Sequence, residues 1–121
     1  MTLIYAYQNR NLTKDIEMID VDGEVIVAGS GDILRAIIGH EAALQDDLSG
    51  AKLVVTSAAS TANGSSFSKN TPSNGVNRLR LDAQDLSFDA GVYTLLIEFN
   101  DGNDAADWKT VSRQVMCLED T

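Results

Sequence analysis

The chain has 121 residues, 44% of them hydrophobic and 22% charged, a length and balance suited to one folded domain rather than a disordered segment. Eighteen acids against nine bases give a net charge of -9, which argues against a nucleic-acid surface built from clustered Lys and Arg. Cys117 is the single cysteine, so an intrachain disulfide framework is excluded and the core has to hold itself together.

In chain order, short apolar segments recur at Leu3 to Gln8, Ile16 to Asp20, Glu24 to Val27, Ile33 to Ile38, Leu53 to Ala58, Asn77 to Leu81, Gly91 to Asn100 and Val111 to Leu118. Between them stand Asp22-Gly23, Gly29-Ser30-Gly31, Ser49-Gly50, Asn74-Gly75 and Asp101-Gly102, the residues that tight reversals use. Strands at this spacing predict an all-β sandwich or barrel, because a βαβ fold needs longer amphipathic helices between strands. The first residues carry no basic stretch followed by a long apolar run, so neither a signal peptide nor a membrane span is expected. Helical turns are expected only at Glu41 to Asp47 and Asp82 to Leu86. Residues 60–75, rich in Ser, Thr, Asn and Gly and holding Pro72, read as a long polar surface loop, with Phe67 as an anchor for a short strand instead.

Chemistry is sparse along the chain. His40 is the single histidine, and no nucleophile motif accompanies it, so no catalytic residue and no enzyme is predicted. No cofactor-binding loop is seen either; Gly29-Ser30-Gly31 lacks the further glycine or lysine of a phosphate cradle. Asp101, Asp104 and Asp107 form the best calcium candidate, although their spacing departs from the twelve-residue calcium loop. A plain acidic hairpin loop is the stronger expectation, and no metal is predicted. Cys117, in Val115-Met116-Cys117-Leu118, reads as an inert thiol. Trp108 is expected to cover one end of the fold and one of Tyr5 and Tyr7 to pack inward, the alternative being exposed aromatics that form a sugar-binding platform or a protein interface.

The sharpest local signal is Asp89-Ala90-Gly91-Val92-Tyr93. Tyr93, Leu95, Ile97 and Phe99 fall on one face of the strand that follows, and a tyrosine in this position resembles the corner of an immunoglobulin-type sandwich, where its hydroxyl returns to nearby backbone. The expected fold is therefore a single immunoglobulin-like antiparallel β-sandwich spanning residues 1–121, with about 7–9 strands. Four segments, Gly31 to Gly39, Thr61 to Ser65, Arg78 to Leu86 and Asp89 to Tyr93, together resemble small immunoglobulin-like virion proteins of tailed bacteriophages. The likeness covers roughly residues 25 to 118.

That resemblance implies a capsid decoration or cement protein, with similar modules in tails and baseplates. Its partners would be the major capsid protein or other virion proteins, it would form a homo-oligomer with a trimer expected, and it would reside in the virion after assembly in the bacterial cytoplasm. The alternative is a tail, baseplate or adhesin-like carbohydrate-binding module. Residues 1–10 are read as a docking or exchanged terminal strand, with Leu3, Ile4, Tyr5 and Tyr7 as the interface residues; pairing of that strand within its own sandwich is the competing expectation.

Overall fold

A strand turns successive side chains to opposite faces, and the described residues form eight strands. The computed structural model describes residues 3–20, 22–29, 31–40, 50–71, 75–104 and 106–120. Its strands are β1 (Leu3–Tyr7), β2 (Leu12–Glu17), β3 (Ile33–Gly39), β4 (Leu53–Thr56), β5 (Ser66–Thr71), β6 (Val76–Leu81), β7 (Gly91–Asn100) and β8 (Lys109–Glu119). A five-stranded sheet in the order β1-β8-β7-β3-β4 faces a three-stranded sheet in the order β2-β6-β5. All pairings are antiparallel except β1 with β8, which run parallel. This is an all-β immunoglobulin-like sandwich.

The core lies between the sheets. Leu34, Ala36 and Ile38 of β3 meet Tyr93, Leu95 and Ile97 of β7, Met116 and Leu118 of β8, and Ile4 and Ala6 of β1; Ile16, Phe67, Leu79 and Leu81 close it from the other sheet. Ile37 and Leu96 are paired across β3 and β7 and are also buried, but they lie outside this core cluster. At the end of the sandwich where β7 begins, Tyr93 packs edge-on against Phe88 and its hydroxyl donates to the Asp89 carbonyl at 2.5 Å, the expected corner bond. Burial, and then the neighbouring Asp89 charge, raise the Tyr93 pKa above its ordinary value.

Three expected elements differ. The strand expected over Ile16 to Asp20 is β2, which begins earlier at Leu12. Lys14 occupies an inward-alternating, half-buried position there, so its charge hides the period while its aliphatic stem follows it. Glu24 to Val27 makes only the isolated bridge Ile19 to Val25, leaving Val25 and Val27 exposed. The polar stretch 60–75 is not one loop, because Phe67 enters the core and draws Ser66–Thr71 into β5 alongside β6. The turn expected at Asp82 to Leu86 is present, with the N–H groups of Asp85 and Leu86 both donating to the Asp82 carbonyl; Glu41 to Asp47 falls outside the described residues.

Gly75, which leads into β6, has a positive φ of 69° and is buried. A Cβ there would sit 2.5 Å from Val25 Cγ1 and 3.0 Å from the Met18 carbonyl oxygen, so both backbone conformation and space demand glycine. Its own carbonyl accepts the Met18 N–H at 2.8 Å, tying the end of β2 to β6.

Candidate interaction face

The register sets which side chains leave the core. In β1, Ile4 and Ala6 point inward while Leu3, Tyr5 and Tyr7 point outward, so neither N-terminal tyrosine packs inward as expected, because both share the parity of Leu3 and not of Ile4. Leu3 shares a row with Val115 and Thr94, and Tyr5 shares the next with Cys117 and Val92. Leu3, Tyr5, Tyr7 and Val92 are 46%, 58%, 49% and 63% exposed, and the half-buried Val115 and Cys117 lie between them. The outer face of β1, β8 and β7 thus presents a continuous strip of aliphatic and aromatic side chains on a protein of net charge -9. At one end Arg10 lies 5.9 Å from the centre of the Tyr7 ring, a cation–π distance.

Of the four residues expected at an interface, the structure brings Leu3, Tyr5 and Tyr7 together on this face. Ile4 is corrected: it is buried in the core, because a strand turns successive side chains to opposite faces. β1 also pairs along its whole length with β8 of the same chain. Val92 was missed by the sequence reading. Its signal was available, since placing Tyr93 inward obliges Val92 to point outward.

Farther across the same outer face, Arg35 Nε and Nη2 donate to Glu98 Oε1 at 2.8 and 2.5 Å. The guanidinium carbon lies 3.8 Å from the centre of the Trp108 ring. Trp108 therefore packs on a paired arginine on a sheet face, which uses one side of the ring that a sugar platform would need. The ion pair is mostly buried, with side chains 15% and 11% exposed. Nothing in the sequence joined these three residues, which only the β3 to β7 register and the β7 to β8 connection bring together.

The remaining candidates are spread through the fold. His40 stacks on Tyr93 with ring centres 4.7 Å apart, and so extends the tyrosine corner. Asp101 accepts the Asn103 N–H at 3.0 Å and Asp104 accepts the Ala106 N–H at 2.9 Å. Each of the two caps its own turn. The Asn103 backbone bond is the main cause holding the Asp101 carboxyl below its ordinary value, with burial opposing it and the Asn103 side chain and Lys109 assisting. Among the described residues no group of three His, Cys, Asp or Glu side chains converges to hold a metal.

The densest polar cluster is one that the sequence reading did not single out. Asp85 accepts from Thr61 Oγ1 at 2.6 Å, from Asn63 Nδ2 at 2.8 Å and from the Ser65 hydroxyl. The fully buried Ser65 accepts the Asp82 N–H at 2.8 Å in turn. Burial works to raise the Asp85 pKa, but the bonds from Ser65, Thr61 and Asn63 outweigh it and hold the carboxyl below its ordinary value. The cluster fastens the loop before β5 to the turn before β7. Its role is architectural.

No family model matches this chain, and no curated protein matches it. Among solved structures, the ZIG-8–RIG-5 IG1–IG1 heterodimer in its monoclinic form is similar over 98% of this chain and 82% of that chain, with 15% identity and a TM-score of 0.43. The class of the fold rests on strand order and register, which define an immunoglobulin-like sandwich.

Proposed function

We propose that this chain is a non-enzymatic structural protein of a tailed-bacteriophage virion, a capsid decoration or cement protein that docks on the head through the outer face of β1, β8 and β7. The observation that carries the reading is the exposed strip of Leu3, Tyr5, Tyr7 and Val92. Contiguous apolar surface of this kind on a small domain marks a contact with another macromolecule, and tyrosine is enriched where such contacts are strongest. The acidic remainder of the surface suits a protein that stays soluble until it meets its site. The sequence likeness to small immunoglobulin-like virion proteins supplies the partner class, the major capsid protein or another virion protein. It also supplies the expectation of a trimer around a symmetry axis.

The test is light scattering on the purified protein, followed by co-sedimentation with phage particles that lack it. A trimer that returns to the head, and a Tyr5→Ser/Val92→Ser variant that folds but stays in the supernatant, are expected. A monomer that ignores particles overturns the proposal.

A further inference from the structure

The parallel β1 to β8 ladder covers only Val115–Glu119 of β8. The first part of that strand, Lys109–Ser112, pairs with β7 on one side. On the other side no strand among the described residues accompanies it, and no backbone hydrogen bond joins it to a described residue outside β7. An unpaired strand edge presents backbone donors and acceptors to another chain, and this one carries them on either side of a bulge at Val111, where Thr110 and Ser112 pair with the successive residues Glu98 and Ile97.

An apolar cleft of about 350 Å³ flanks the same edge. Ile19, Ile26, Phe99 and Val111 line it, and Asp20 and Lys109 add opposite charges. A third observation lies on the inner face of β8. Gln114 Nε2 donates to Ser112 Oγ at 3.1 Å, and its Oε1 is a buried acceptor with no hydrogen-bond partner among the described residues, a costly state for a polar group.

We propose that Lys109–Ser112 is a strand-addition site that takes an extended polypeptide segment of a partner protein, parallel to β8 and in line with β1, with an aliphatic side chain seated in the cleft. An extended peptide matches both halves of the site, since its backbone completes the ladder and its alternate side chains reach inward. The β1 to β8 ladder sets the direction, because the new segment continues an existing parallel pairing. A small apolar molecule would fill the cleft and leave the β8 edge to water. This site lies apart from the docking strip of Leu3, Tyr5, Tyr7 and Val92 and does not depend on what that strip binds.

The probe is a capped peptide of about seven residues alternating valine and threonine, added to the full chain and followed by NMR shifts and amide hydrogen exchange. Saturable binding is expected, with exchange over Lys109–Ser112 slowed about tenfold or more and shifts at Ile19, Ile26 and Phe99. Backbone N-methylation of the peptide on its β8-facing edge removes the ladder bonds without touching the protein, and should weaken binding about tenfold. Ile19→Arg, at an exposed position, should weaken it as well, with an unchanged melting temperature confirming that the variant folds. Absence of binding at about 1 mM peptide, equal binding of the N-methylated peptide, or protection at β2 in place of β8 would each overturn the assignment.

Discussion

The two ends of the sandwich are fastened differently. Where β7 begins, side chains bridge loops far apart in sequence: Gln8 Nε2 to the Phe88 carbonyl at 2.8 Å, Asn11 Oδ1 to the Ala83 N–H at 2.7 Å, and the Thr61, Asn63 and Ser65 cluster on Asp85. Where β7 ends, most polar side chains bind backbone two to four residues away. Asp20 accepts from Asp22 and Glu24, Asn100 from Gly102, Asp101 from Asn103 and Asp104 from Ala106. Lys69, donating to the Gly29 and Asp32 carbonyls, and Arg35, held by Glu98 and stacked on Trp108, depart from this. A cross-linked end resists local opening because each loop holds another, whereas self-capped turns open one at a time. The apolar cleft and the unpaired start of β8 both lie at the second end.

Substitutions at graded distances from the cross-linked end test this difference. Leu95→Ala, in the core that both ends share, should cost about 2–5 kcal/mol in chemical denaturation; an unchanged midpoint would refute the inward face of β7. Ser65→Ala should cost about 1–3 kcal/mol, since it orphans the Asp82 N–H and removes one Asp85 bond in a buried site. A loss no greater than that of an exposed serine would mean that the cluster does not fasten the two loops. Tyr93→Phe should cost about 1 kcal/mol by deleting the bond to Asp89, and its rate of exchange at Gly91 and Val92 should rise with it.

Acid provides a further measure of the same end. The Asp85 carboxyl is held below its ordinary value of 3.8, so its contribution to stability is full above that value and is lost as pH falls through the lower, folded value. Denaturation midpoints followed downward from about pH 5 should therefore fall less steeply for Asp85→Asn than for the parent chain, and parallel curves would contradict the carboxylate's role. The smallest effect is expected at the opposite end, where Asp104→Ala removes a local, exposed bond and should shift stability by no more than about 0.5 kcal/mol. A loss matching that of Ser65→Ala would erase the contrast between the ends.

Much of the architecture was legible from local pattern, because a strand buried on one face writes its alternation into the residues themselves. Tyr93, Leu95 and Ile97 declared their face and their corner in this way, and β1, β3, β7 and β8 lie close to where the apolar runs put them. The start of β2 was hidden where the half-buried Lys14 broke the pattern, and β5, in a serine-rich stretch, was legible only through Phe67, the alternative to a polar loop. At the candidate face, Leu3, Tyr5 and Tyr7 were legible as a group, while Ile4 was misread by treating the strand as a unit instead of as two faces.

By itself the sequence determined the all-β class, the tyrosine corner, the acidic surface and the lack of an intrachain disulfide, all of which depend on residue identity and short-range period. Only the tertiary structure decided that β1 pairs parallel with β8, which sets Leu3 and Tyr5 in the same rows as Thr94 and Val92. It alone joined Arg35 to Glu98 and Trp108, gathered Thr61, Asn63 and Ser65 onto Asp85, and left Lys109–Ser112 unpaired beside an apolar cleft. Each of these depends on register between strands distant in sequence. Register is chosen by how the two whole faces pack, a property that no single segment carries.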